Sequence, residues 1–379
     1  MSAKLPPPWE RADALPPKPA AGEWGYLARG QPQPCTLDEL QRHTASGDPA
    51  LVWSPHSERL SMPEEVPELF EPLRRRMRGH SGDLMRSSLP WFGLAALLGW
   101  LWRDALAAQD VVAVPMFALL CIFGAVPLLQ GLLTLRTAAR LQPDDLPGLA
   151  REARYRLWLD TRSAWATRTL VGALIGLFVL QWTTGLHQSI GAAGVVKPMI
   201  RAGEWWRLAT GTVLHGNLMH IVFNLSALAA LGRMVEVTCG RSRLGVVFLA
   251  SAVVGSVASL VYLPDATSVG ASGGIVGLIG FGVVLGWRRR RVLPPGYTRS
   301  LILSVVLIAT IGVVGRTIID NAAHAGGLIA GMACGWLLMN SDQSQVPLPS
   351  GVPMKIAGAL AYAGIAATLI GAGVVIAVA

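Results

Sequence analysis

Nine apolar stretches, separated by short polar turns, dominate the chain after residue 88. They run at about Leu89–Trp102, Val111–Leu135, Thr169–Leu186, Leu208–Leu231, Leu244–Leu263, Ala271–Trp287, Leu301–Gly315, Ala322–Met339 and Ile356–Val378. Most approach the ~20 residues that a helix needs to cross the ~30 Å hydrocarbon core of a bilayer. The first is short, as expected of a tilted, end-extended or interfacial helix. Arg103, Asp104 and Asp110 separate it from the second, and the pair reads as a helical hairpin.

The polar spacers set the organisation. Residues 1–21 are a Pro-rich tail expected to be disordered, and 22–70 a small soluble unit. A basic linker (71–88) leads to the accessory transmembrane hairpin (89–135), and a second basic linker (136–168), expected on the cytoplasmic side, leads to a helical core (169–339). A linker (340–355) and one further span (356–379) complete the chain. Within the soluble unit, TLDELQRH predicts a short helix with Thr36 as N-cap and Glu39 at its third position, a capping box. ALVW predicts a strand.

Charge orients the spans. Arg233, Arg241 and Arg243, and again Arg288 to Arg291 with Arg299, fall in alternate loops, which places those loops on the inner side. The intervening loops, 187–207, 264–270 and 316–320, carry fewer basic residues. The N-terminus is then expected inside and the C-terminus outside.

Composition narrows the class. The chain has 379 residues, 52% of them hydrophobic and 15% charged, with a formal charge of +9 and a mean hydropathy of +0.46. A soluble enzyme of this length is less apolar. The Arg residues flank apolar spans rather than forming one face with interleaved aromatics, which argues against nucleic-acid binding. Cys35, Cys121, Cys239 and Cys334 lack disulfide or zinc spacing. The opening MSAKLPPPWERADALPPKP is neither a signal peptide nor an Arg-rich amphipathic helix. A bacterial inner membrane is the expected location.

Residues 22–70 carry Trp24, Tyr26, Leu37, Leu40, Gly47 and Leu51-Val52-Trp53. In these positions they resemble the small GYF-like domains found beside bacterial membrane segments. The resemblance implies a site for a proline-rich peptide; a solvated unit without a ligand is the alternative. A Gly-Pro before the helix is absent, and Leu60 stands where a second Trp is common.

Ionisable groups are costly inside a bilayer and mark function there. His215, His220 and His324 sit in apolar spans. His220 and Asn224 are four apart, on one helix face, with His215 expected on a neighbouring part of it. Gly270 and Gly273 bracket Ser272 at an expected helix start, where a Ser by default caps the helix. His324 lies near the outer end of its span, followed by Gly327 and Gly331, which permit close helix approach. At ~1.5 Å per residue from the inner ends at Arg288, Asn340 and Arg233, Ser272 and His324 lie roughly 24 Å up and His220 roughly 20 Å. These three groups fall at nearly one depth, below the outer boundary and under a water-accessible hollow. A Ser beside a His is an activated nucleophile. The Ser272 amide, Asn224 and His220 are available to an oxyanion.

Three motifs on three helices carry a resemblance: His215, His220 and Asn224 as HxxxxHxxxN; Gly270, Ser272 and Gly273 as GxSG; Ala323, His324 and Gly327 as AHxxG. Glu204, Trp206 and Arg207 add the Trp-Arg of an outer loop, and Gly232 and Glu236 a later Gly and Glu. With these, residues 169–339 resemble the rhomboid intramembrane serine proteases. The resemblance implies an all-α polytopic protein with a six-helix core, here with the preceding hairpin, one extra C-terminal helix and a small α+β N-terminal domain. It implies a Ser272–His324 dyad, an oxyanion hole of His220, Asn224 and the Ser272 amide, and supporting roles for His215, Gly270, Gly273, Trp206, Arg207 and Gly327. Substrates would be transmembrane helices cut near their outer ends, without metal or cofactor. Val276 departs from the aromatic that packs on the catalytic His in many rhomboids. Asp320, one turn before His324, is either a helix cap or a third member that orients the imidazole. A rhomboid-like protein that binds helices without cutting, a transporter and a scaffold for a proline-rich partner are the alternatives.

Overall fold

The computed structural model describes residues 6–11, 13–19, 24–47, 50–110, 113–263, 265–339 and 346–379. The chain divides into two compact units, residues 1–158 with 314–318 and residues 159–313 with 319–379.

In the first unit, β1 (Trp24–Ala28) is the centre of a three-stranded antiparallel sheet, flanked by β2 (Gln31–Cys35) and β3 (Val52–Trp53). Arg29 and Gly30 both have positive φ, 50° and 81°, which suits a two-residue hairpin turn. The helix α1 (Leu37–Ser46) has the capping box expected at Thr36 and Glu39, and it stops at Gly47 in the left-handed conformation. Leu40, Val52, Val66 and Leu69 form its core. Gly25 admits the Trp53 indole: a β-carbon there would lie 2.0 Å from the ring. Residues 1–5, 12, 20 and 21 of the Pro-rich tail lie outside the described residues. The rest is packed rather than disordered, because its apolar groups find partners. Leu15 lies against Trp53 and Leu60, Pro17 pairs with Arg59, and Trp9 is buried against Tyr155 and Trp158.

The two basic linkers, 71–88 and 136–168, are largely helical. α2 (Phe70–Leu101) takes up the basic run 71–88 and the first apolar stretch in one 32-residue helix; Arg, Leu and Met are good helix formers. After α3 (Arg103–Ala107), α4 (Ala113–Arg140) packs back on α2. The Ser81 hydroxyl donates to the Gly131 carbonyl at 2.8 Å, and Gly124 lies under the Phe92 ring. α5 (Leu146–Thr161) occupies much of the second linker. Its Arg154 forks onto Glu65 at 2.6 and 3.0 Å, and Arg151 pairs with Glu10.

The second unit begins with α6 (Trp165–Thr184). The short helices α7 (Leu186–Ala193), α8 (Lys197–Arg201) and α9 (Arg207–Thr210) form the loop to α10 (Leu218–Cys239). α11 (Arg241–Tyr262), α12 (Ser272–Arg288), α13 (Gly296–Val314), α14 (Asn321–Leu338) and α15 (Val352–Val378) follow. Of the nine expected spans, six are helices long and apolar enough to cross a membrane among the described residues: α4, α6, α10, α11, α13 and α15. α12 is apolar but has only 17 residues. The polypeptide is a polytopic helical membrane protein with a small α+β N-terminal domain.

α12 is the central helix, buried over most of its length and packed on α10, α11 and α14. Its contact with α14 is made of glycines. A β-carbon on Gly327 would lie 2.1 Å from the Gly273 carbonyl oxygen, and one on Gly331 1.9 Å from that of Gly277. Gly232 and Glu236, expected after the second core helix, lie inside α10, because that helix runs on past the apolar stretch ending at Leu231 to Cys239. The Glu236 carboxylate accepts from the Ala166 and Thr167 amides (3.0 and 2.8 Å) and the Thr167 hydroxyl (2.7 Å), so it caps the start of α6. At the start of α11, the buried Arg243 donates to the carbonyls of Cys239, Leu338, Leu348 and Pro349. It thus ties the ends of α10 and α14 to the lead-in of α15, which packs on α11 and α6.

Candidate active site

Ser272 is the first residue of α12 rather than its cap. Gly270 shapes the approach. Its φ of +131° is one that side chains rarely adopt, and its amide donates to the Gly211 carbonyl at 3.0 Å. Two residues earlier, Ser268 exchanges both backbone hydrogen bonds with Val195, at 2.9 and 3.2 Å. The loop that delivers Ser272 is therefore clamped from two sides.

His324 stands in the first turn of α14. Asp320 caps that helix by accepting from the Ala323 amide at 2.9 Å. Because glycines bring α12 and α14 together, the His324 Nε2 reaches the Ser272 Oγ at 2.8 Å. Both side chains are half-buried. His324 Nδ1 has no hydrogen-bond partner. The Asp320 carboxylate is engaged by Ser259, Ser268 and the Ala323 amide. The cap reading of Asp320 holds, and the structure does not place its carboxylate on the imidazole as a third member.

His220 lies across from Ser272. A β-carbon on Gly270 would sit 2.8 Å from its Nε2 and 3.8 Å from the Ser272 Oγ, so the space over Gly270 faces both groups. His220 Nδ1 accepts from the Gly216 amide at 3.4 Å, which leaves the proton on Nε2, toward that space. Asn224 turns one N–H back to the His220 carbonyl at 2.9 Å; its amide nitrogen carries a second. The Ser272 amide, at the first helical position, has no intrahelical acceptor.

His215 departs from expectation. It precedes α10 instead of riding on it, because Asn217 takes the N-cap and accepts from the His220 amide at 2.8 Å. Its imidazole is fully buried, edge-on to His220 at 5.2 Å, with no hydrogen bond to either nitrogen. What fixes it is Gln181 on α6, missed in the sequence. The Gln181 side chain accepts from the His215 amide at 3.0 Å and donates to its carbonyl at 3.3 Å. The available signal is an amide side chain inside the apolar stretch Thr169–Leu186. In the loop between α6 and α10, Arg207 pairs with Glu204 at 2.6 Å, donates to the Gly191 and Gly194 carbonyls, and stacks on Trp206 at 4.6 Å. Val276 is buried one turn below Ser272.

A hydroxyl with a base at hydrogen-bond distance, beside N–H groups that face a common space, can form and stabilise a tetrahedral oxyanion. Comparison with known proteins points the same way. Residues 202–341 match the family model described as Rhomboid domain. The "Rhomboid protease GluP" of Bacillus subtilis is 37% identical over 133 residues, 35% of this chain and 26% of that protein. "RHOMBOID-like protein 6, mitochondrial" of Arabidopsis thaliana is 32% identical over 151 residues, 39% and 48% of the two chains. The "Putative rhomboid protease YdcA" of Bacillus subtilis is 28% identical over 142 residues, 37% and 71%. This chain spans about half or less of the length of the first two relatives.

Proposed function

We propose that this chain, which carries a rhomboid domain at residues 202–341, is an intramembrane serine endopeptidase of transmembrane-helix substrates. The observation that carries the reading is the 2.8 Å contact between His324 Nε2 and Ser272 Oγ, made by two separate helices. His324 takes the hydroxyl proton as Oγ bonds to the scissile carbonyl carbon. The carbonyl oxygen gains the charge and is met by the Ser272 amide, His220 and Asn224. His324 then gives the proton to the leaving amine, and an acyl ester remains on Ser272. Water, deprotonated by His324, releases it.

The height of Ser272 in the bilayer favours cleavage near the outer ends of substrate helices. The charge of the loops favours a cytoplasmic N-terminus in a bacterial inner membrane. A proline-rich ligand of residues 22–70 is a separate proposal. It is favoured by the chain's own Leu15–Pro17 segment, which lies against Trp53, Arg59 and Leu60.

Labelling of the detergent-purified protein with a fluorophosphonate tests the dyad. Wild type is expected to label and to cut a transmembrane-helix substrate, and Ser272→Ala and His324→Ala to do neither. A folded wild type that neither labels nor cuts sinks the protease reading and leaves a helix-binding protein.

A further inference from the structure

Four polar residues meet beside the dyad although their sequence positions span more than a hundred residues. Lys197 (α8) and Ser259 (α11) are fully buried; Ser268 leads toward Ser272, and Asp320 begins the helix of His324. The Lys197 ammonium donates to the Ser268 hydroxyl at 3.2 Å. Ser268 and Ser259 each donate to the same oxygen of Asp320. The other Asp320 oxygen accepts from the Ala323 amide.

The direction of the bonds to the ammonium and the carboxylate is fixed by chemistry. An ammonium only donates, an ionised carboxylate only accepts, and a hydroxyl passes one bond on. The arrangement is a charge-separated pair, Lys197 and Asp320, joined through Ser268. Burial pushes the Lys197 ammonium down from its usual range, and the Asp320 charge pushes it back up.

Resting on the protease reading, we propose that Lys197, Ser268 and Asp320 are positioning residues that hold the Ser272 loop and the His324 helix in reactive register. Ser268 is four residues before Ser272, and Asp320 four before His324. Their hydroxyl–carboxylate bond is therefore a second tie between the same two segments that meet at the 2.8 Å dyad contact. Lys197 neutralises the carboxylate that makes this tie. It sits two residues beyond the Val195–Ser268 bridge, so the loop between α6 and α10 is part of the same clamp.

The test separates this role from helix capping, which Asn performs as well as Asp. Full-length Asp320→Asn, Lys197→Met and the double variant are compared with wild type for substrate cleavage, fluorophosphonate labelling and thermal midpoint. Each single variant is expected to lose about ten- to a hundred-fold in kcat and in labelling rate, with KM within about twofold of wild type. The double variant, which buries no unpaired charge, is expected to lose less than the product of the single losses. Asp320→Asn at the wild-type kcat, or losses that simply multiply, overturns the proposal. The same double-mutant cycle read as thermal midpoint needs no activity. There the double variant is expected to fall by less than the sum of the singles, and strict additivity overturns the pairing. An inactive wild type with a coupled midpoint cycle defeats the protease reading while keeping the pair.

Discussion

Gly331 on α14 lies so close to Gly277 on α12 that a β-carbon would sit 1.9 Å from the Gly277 carbonyl oxygen. The neighbour is backbone, so nothing flexible can move aside. Together with Gly327 against Gly273, this contact sets the spacing at which His324 meets Ser272. Gly331→Ala is expected to lower stability by about 1–3 kcal/mol through overpacking and fluorophosphonate labelling by about tenfold or more. Wild-type midpoint and labelling rate in this variant would show that the helices need not touch here.

Gln181→Leu leaves the buried amide and carbonyl of His215 without partners. A cost of about 1–3 kcal/mol is expected for each group, and cleavage should fall with stability because His215 leads into the cap of α10. Thermal midpoint and kcat measured together check this; an unaltered midpoint defeats it.

Glu236→Ala removes the acceptor of three donors at the start of α6, far along α10 from His220. A loss of about 3 kcal/mol is expected. The labelling rate of the protein that remains folded should stay within about twofold of wild type, since no dyad contact changes. A larger fall in that rate would place Glu236 in the chemistry.

Glu64 gives a pH dependence outside the membrane. Burial raises its carboxyl above the ordinary value of 4.5, and its Oε2 has no hydrogen-bond partner. An acid raised in this way contributes stability below the unfolded value, and that contribution is lost as pH rises through the folded value. Glu64→Gln is therefore expected to melt higher than wild type at pH 7–8 and at the same temperature near pH 4. A gap that opens instead on acidification would reverse the assignment.

Much of this site is legible in the chain itself. Ser272 and His324 stand out because bracketing glycines and a polar group in an apolar span have few structural uses, and Thr36 with Glu39 announces α1. What escapes is what depends on tertiary meeting. Lys197 belongs to no motif in the chain, and only the fold buries it against Ser268. His215 reads as helical because the apolar pattern begins at Leu208, yet Asn217 caps α10 later. The Arg-rich run before Leu89 reads as a linker because charge masks a helix propensity that Arg shares with Leu.

Arg243 has a consequence for where this protein can be cut. The region that matches the family ends at residue 341, but the guanidinium at the start of α11 is satisfied partly by Leu348 and Pro349. Removing everything after 341 would leave a buried cation only the Cys239 and Leu338 carbonyls and strip α15 from α11 and α6. The stretch that matches the family and the stretch that packs as one compact unit are thus different objects. Here the last helix belongs to the second although it lies outside the first.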